Sequence, residues 1–172
     1  MRRLMLLRHA KSDHPAAVPD HERPLANSGR DACAAMGGYM AREGLVPDLA
    51  IVSTARRAQE TWALVRQAIA GNLHYRGEPR IYEATPETIL AIVRKASPDV
   101  QSLLLVGHNP GFQDLALELI GKAGRSELSR LRTKYPTAGL VVIDFDVPGW
   151  PGLDRRAGML ERFETPRSIA VH

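Results

Sequence analysis

The chain has 172 residues, 44 % of them hydrophobic and 24 % charged, a balance that fits one globular domain with a full core and excludes disordered and fibrous classes. A formal net charge of +4, spread along the chain without runs of five or six cations, suits acidic or phosphorylated partners and gives little footing for nucleic acid. The single cysteine, Cys33, excludes an intramolecular disulfide and a cysteine-based zinc site. It falls within an apolar helical pattern and reads as a core thiol. The first residues carry no signal-peptide pattern, and no stretch approaches the roughly 18 apolar residues of a membrane span. The expectation is a soluble, cytoplasmic protein without a membrane partner, one domain over residues 1–172. Nothing in the sequence speaks to oligomeric state.

In chain order, Leu4-Met5-Leu6-Leu7 is a short apolar run without alternation, the mark of a strand buried on both faces. It delivers Arg8 and His9 to its carboxyl end, where open α/β sheets hold their ligands. Residues 13–26, with Pro15, Pro19 and Pro24, read as a loop over that end. Ser28-Gly29-Arg30-Asp31 has the form of a capping box. Ala32, Met36, Tyr39 and Met40 then keep one helical face apolar, and Gly44 is placed to stop the helix. Asp48 to Ser53 is a second strand. A helix follows, with Ala58, Trp62, Val65 and Ile69 inward and Gly71 at its end. Residues 72–84 read as connecting chain, with one extended piece around Arg80-Ile81-Tyr82. Thr85-Pro86-Glu87 combines a cap, a first-position proline and a first-turn acid, so a helix starts there, with Ile89, Ile92 and Val93 on its face. Leu103 to Val106 is the third buried strand. Gly107-His108-Asn109-Pro110-Gly111 turns into a helix marked by Leu115, Leu119 and Ile120. Extended segments near 139–146 and 156–163 close the chain, and Trp150 between them, among prolines and glycines, is expected at the surface. Strands alternating with helices predict an α/β fold: a three-layer α/β/α domain with a mostly parallel central sheet flanked by helices.

Three strand ends therefore deliver polar groups: Arg8 and His9, then Arg56 and Arg57, then His108. Parallel strands gather these on one sheet edge, and two arginines with two histidines make a phosphoryl site. Guanidinium groups bind phosphate oxygens in pairs and stay charged, while a neutral imidazole can attack phosphorus. Asn109 as cap and Pro110 at the first helical position would turn helix N–H groups toward the same anion.

Leu7-Arg8-His9-Ala10, Ser53-Thr54-Ala55-Arg56-Arg57-Ala58-Gln59-Glu60-Thr61 and Val106-Gly107-His108-Asn109-Pro110 resemble the histidine phosphatase superfamily, whose fold is phosphoglycerate mutase-like. Arg23-Pro24-Leu25, Pro136-Thr137-Ala138-Gly139 and the short length look most like its SixA-type phosphohistidine phosphatase branch. Ala10 stands where the family often carries glycine. The resemblance implies that His9 is the nucleophile and becomes phosphorylated, that Arg8 and Arg57 hold the phosphoryl oxygens, and that His108 hydrogen-bonds them from the opposite side. Arg56 is then a surface or substrate-facing neighbour. Glu83 lies near where relatives on this fold carry a leaving-group acid and is the candidate for that role. The substrate so implied is a phosphohistidine on a signalling or phosphotransfer protein, whose imidazole leaves more readily than an alkoxide. Alternatives are a phosphomonoesterase or mutase acting on a small phosphorylated substrate, and a phosphate-binding module without turnover; nucleic-acid binding rests only on basic charge. Lys11, Ser12 and Arg23 are placed to touch substrate. His14, His21, His74 and His172 read as loop or terminal residues. No P-loop, His-Glu-x-x-His or EF-hand pattern is present, so neither cofactor nor metal is indicated.

Overall fold

The computed structural model describes residues 1–171; His172 lies outside the described residues. Seven strands form one sheet: β1 (Arg2–Arg8), β2 (Leu49–Ser53), β3 (His74–Glu78), β4 (Ser102–Gly107), β5 (Ile120–Lys122), β6 (Leu140–Phe145) and β7 (Gly158–Glu164). Their order across the sheet is β3-β2-β4-β1-β6-β7-β5. β3, β2, β4 and β1 run parallel to one another, as do β5 and β7. β6 is antiparallel to both β1 and β7. The fold is a three-layer α/β/α arrangement around a mixed, mostly parallel sheet.

The helices are α1 (Asn27–Arg42), α2 (Arg56–Arg66), α3 (Pro86–Arg94), α4 (Gly111–Leu119), α5 (Arg125–Thr133) and α6 (Pro166–Ile169). Because successive side chains alternate across a strand, each central strand feeds two cores. Leu4 and Leu6 of β1, with Leu103 and Leu105 of β4, join the core shared with Ile89, Ile92 and Leu115 of α3 and α4. Met5, Leu7, Leu104 and Val106 join the opposite core with Met36, Trp62 and Val65 of α1 and α2. Burial on both faces explains the unbroken apolar runs. Cys33 is fully buried in the second core, and burial pushes its thiol up to about 11.

Several local expectations are corrected. α1 starts at Asn27, with Ala26 at its cap and no side-chain cap hydrogen bond, so Ser28 lies in the first turn and the capping box does not form. Its far end closes as read: Gly44 adopts φ 68°, and the Leu45 and Gly44 amides donate to Met40 and Ala41 carbonyls, a Schellman closure. The extended piece between α2 and α3 is β3 at His74–Glu78, whereas Pro79–Ile81 forms a 3₁₀ turn; His74 is thus a strand residue. Trp150 is fully buried, its indole N–H donating to the Val100 carbonyl at 2.8 Å; the surrounding Pro-Gly chain folds over it. β5, α5 and α6 had no counterpart in the sequence reading. Among the described residues no helix is long and apolar enough to cross a membrane.

Candidate active site

Register builds the site. β1 and β4 pair in parallel so that Arg8 stands opposite Gly107, and the His9 amide extends the ladder by donating to the Gly107 carbonyl at 2.9 Å. His9 and His108, the next residue on each strand, then face each other with ring centroids 5.2 Å apart. β2 pairs on the other side of β4, Val52 opposite Val106, which brings Ser53 to the same edge. Arg57 enters from the first turn of α2, just past β2. The structure thus gathers Arg8 and His9 after β1, His108 after β4 and Arg57 from the first turn of α2 at one edge of the sheet.

His9 is buried, and its Nδ1 lies 2.8 Å from its neighbour's carbonyl, Ala10 O. A carbonyl only accepts, so Nδ1 carries the proton and Nε2 keeps its lone pair. Desolvation lowers the His9 pKa to about 4 despite that bond, and Arg57, Arg8 and Arg23 push in the same direction. At neutral pH the ring is therefore uncharged, with the Nε2 lone pair free. His108 is lowered to about 3, by desolvation first and then by His9 and Arg57. Its Nε2 is 2.7 Å from the Ser53 hydroxyl, which is fully buried.

Arg8 donates from Nη1 to the Tyr135 carbonyl at 2.7 Å, and burial lowers its pKa from the usual value. Its Nε is buried without a hydrogen-bond partner among the described residues. The 135–139 turn clasps this end of β1: the Ala138 amide donates to the carbonyls of Arg8 and His9 at 3.0 and 3.1 Å, from a backbone at φ 59°. Arg57 donates from Nη1 to Asp20 O at 2.7 Å and from Nη2 to Asp20 Oδ2 at 3.1 Å. Asp20 also accepts from Tyr82 and, on Oδ1, from Arg23 at 2.7 Å. Those donors, Tyr82 first and then Arg23 and Arg57, hold Asp20 well below the usual carboxylate range. The same bond lifts the Tyr82 hydroxyl to about 12. Thr61, fully buried, ties the segments together, accepting from the Ala10 amide at 3.0 Å and donating to the Arg57 carbonyl at 2.7 Å.

Arg8, His9, Lys11, Ser12, Arg23 and Arg57 line one open hollow of ≈ 310 Å³, with His14 and Thr137 at its rim. Glu83 is exposed, at φ 55°, and lines a second hollow of ≈ 390 Å³ beside His108 and Asn109. Asn109 sits differently from expectation. Pro110, not Asn109, holds the cap position and α4 begins at Gly111. Asn109 Oδ1 accepts from the Gln113 amide at 3.2 Å, and the Phe112 amide is taken by the His108 carbonyl. The Phe112 and Gln113 amides are thus taken up in closing the turn. Asn109 Nδ2 donates to Tyr135 O at 3.4 Å, the carbonyl that anchors Arg8. Arg56 is exposed and ion-paired with Glu60 at 3.1 Å. His21 bonds the Thr54 hydroxyl at 3.0 Å and packs edge-on against Tyr82. Among the described residues no three His, Cys, Asp or Glu side chains gather as metal ligands.

Sequence reasoning missed Asp20, Tyr82, Ser53, Thr61 and Tyr135 as positioning residues. Ser53 and Thr61 lay inside the quoted motif. Asp20 sits in a proline-rich loop without period, where no local signal marks it.

The profile of the Histidine phosphatase superfamily (branch 1) matches residues 4–86. An uncharacterised protein of Mycobacterium leprae is 33 % identical over 167 residues, which cover 94 % of this chain and 100 % of the relative. The chain has the fold of the histidine phosphatase superfamily. The profile match ends before His108, which the parallel pairing of β4 with β1 restores to the site. Among solved superfamily structures, one named for the phosphohistidine phosphatase SixA, from Nakamurella multipartitia, superposes with TM-score 0.81 at 29 % identity, covering 96 % of each chain. The protein histidine phosphatase SixA complexed with tungstate superposes with TM-score 0.75 at 19 % identity, covering 96 % of this chain and 97 % of the other.

Proposed function

We propose that the protein is a metal-independent phosphohistidine phosphatase of the SixA type, working through a covalent phosphohistidine on His9. Fold and family support a histidine-phosphatase-type hydrolase; the observation that carries the finer reading is the His9 ring, fixed by Ala10 so that the neutral Nε2 is its free nitrogen, with Arg8 and Arg57 beside it in one hollow. In this reading His9 Nε2 attacks phosphorus, an N–P bond forms, and the bond to the leaving imidazole breaks. Arg8 and Arg57 neutralise the charge on the phosphoryl oxygens, with His108 opposite. The departing nitrogen takes a proton from Glu83 or from water. A water molecule next attacks phosphorus, the His9 N–P bond breaks, and inorganic phosphate leaves. Asn109 supports Arg8 through the Tyr135 carbonyl.

A protein-borne substrate is favoured over a metabolite because the hollow is open and no inserted subdomain walls it; the solved relative named for SixA points the same way. The test compares kcat/KM on a phosphohistidine-bearing protein with that on small phosphate esters, for wild type and His9→Ala. We expect a large preference for the protein, and a loss of at least about 10³-fold in the variant, which still binds phosphate. Retained turnover would remove His9 from the mechanism, and a preference for one metabolite would keep the chemistry and overturn the substrate.

A further inference from the structure

The catalytic hollow does not stand alone. Thr137 on its rim also lines a neighbouring hollow of ≈ 340 Å³ that contains Lys134 and Arg167. Lys134, Pro136 and Thr165 pass from there into a third hollow, of ≈ 320 Å³, that ends at Arg130. Through these shared lining residues the three hollows adjoin one another, a row leading away from His9 over the segment between α5 and β6. Its cations come from separate places in the chain: Lys11 beside His9, with Arg23 there already paired to Asp20, Arg130 and Lys134 at the end of α5, and Arg167 on α6. No aspartate or glutamate lines any of the three hollows. On the other side of His108 the sign reverses, with Glu83 and Asp114 in the wall of that hollow. Lys134 and Arg167 are exposed, and neither has a carboxylate partner among the described residues. Neither contributes to an ion pair among the described residues, whereas other surface arginines, such as Arg56 and Arg94, are paired.

We infer that this row of hollows serves as one groove, docking an acidic stretch of the phosphorylated protein, laid in extended form beside the residue that carries the phosphoryl group. The inference rests on the phosphatase reading above and adds what that reading lacks, a device that selects the protein around the phosphate. Charge complementarity over a groove of this kind speeds encounter and fixes register more than it adds affinity. In the lining between the cations, Ser129 and Thr137 offer hydroxyls to a peptide backbone. Single-stranded nucleic acid fits less well. Beyond the catalytic hollow the one aromatic ring in the lining, Phe163, is buried, with the Arg130 guanidinium 4.9 Å over its centre. No open ring remains for bases to stack on.

The experiment uses Lys134→Glu/Arg167→Glu, two exposed positions outside the catalytic hollow, and two labelled probes of matched charge, an oligoglutamate peptide and an oligothymidylate. In fluorescence anisotropy the wild type should bind the peptide in a salt-sensitive manner and more tightly than the oligothymidylate, and the variant should lose about tenfold or more in peptide affinity. In turnover, the variant should lose a similar factor in kcat/KM on a phosphohistidine protein with acidic flanking sequence, yet keep wild-type kcat/KM on para-nitrophenyl phosphate. Tighter binding of the oligothymidylate, no peptide binding, or equal losses on protein and small substrate would each overturn the groove. Peptide binding that depends on Lys134 and Arg167, in a protein that fails to dephosphorylate phosphohistidine, would instead overturn the phosphatase reading and leave the groove standing.

Discussion

At the scale of single residues, the site separates groups that face substrate from groups that hold them. Ser53 is among the holders: its buried hydroxyl is the hydrogen-bond partner of His108 Nε2, at 2.7 Å. Ser53→Ala leaves a buried ring nitrogen without its partner, a cost of about 1–3 kcal/mol. We expect kcat/KM to fall about tenfold, mostly in kcat, and Ser53→Thr to restore much of it by returning the hydroxyl; steady-state kinetics on both variants would decide, and an unaffected Ser53→Ala would free His108 from this support. Glu83 makes a different demand. It is exposed, in the hollow beside His108; in the proposed reaction it is the candidate acid for the departing group, and an imidazole needs that help less than an alkoxide does. Glu83→Gln should therefore slow an alkyl phosphate ester about tenfold or more while slowing phosphohistidine only a fewfold. Equal slowing of both substrates in parallel assays would demote Glu83 as the acid.

At the scale of elements, the precision of the site comes from contacts between segments distant in sequence. The start of α1 packs directly on the loop that follows β1: a Cβ at Gly29 would lie 2.1 Å from the Lys11 carbonyl oxygen and 3.0 Å from its carbon. That neighbour is backbone, two residues from His9, and it also accepts from the Ala26 amide, so it cannot move aside freely. Gly29→Ala should destabilise the fold by about 2–3 kcal/mol, seen as a lowered urea midpoint, and should reduce turnover even where the variant is fully folded. An unchanged midpoint would mean that α1 docks more loosely. Such contacts also set what was legible beforehand. The buried runs of β1, β2 and β4 and the motifs at their ends announced the parallel sheet and the Arg8, His9, Arg57, His108 cluster, because burial on both faces writes itself directly into sequence. β5 is three residues long and α5 is polar except for Leu128 and the buried Leu131, so neither has enough pattern to read. Trp150 gave a misleading signal, since proline and glycine mark a turn but not whether the turn covers a core. Asp20 could not be found locally, because its role depends on Arg57 and Tyr82, brought from two other segments to join Arg23 of its own loop.

At the scale of the whole molecule, the parallel sheet collects cations at one edge and leaves two imidazoles among them. The field that prepares the edge for a phosphoryl group also expels protons, which is why burial and the surrounding arginines hold His9 at about 4 and His108 at about 3, against about 6.5 for an unperturbed imidazole. Unfolding returns both rings to water, where they accept protons below that ordinary value. Between pH 6.5 and the folded-state values the unfolded chain therefore binds more protons than the native one, so stability is fully present above about pH 6.5 and is lost as pH falls toward 4 and then 3. The slope reaches at most about 1.4 kcal/mol per pH unit for each histidine. Urea midpoints at pH 7, 5.5 and 4.5 should fall steadily for the wild type, and His9→Gln/His108→Gln should flatten that fall over the same interval, since glutamine takes up no proton. An equally steep decline in the double variant would show that the acid sensitivity belongs to other groups and that the two rings are solvated well enough to titrate normally.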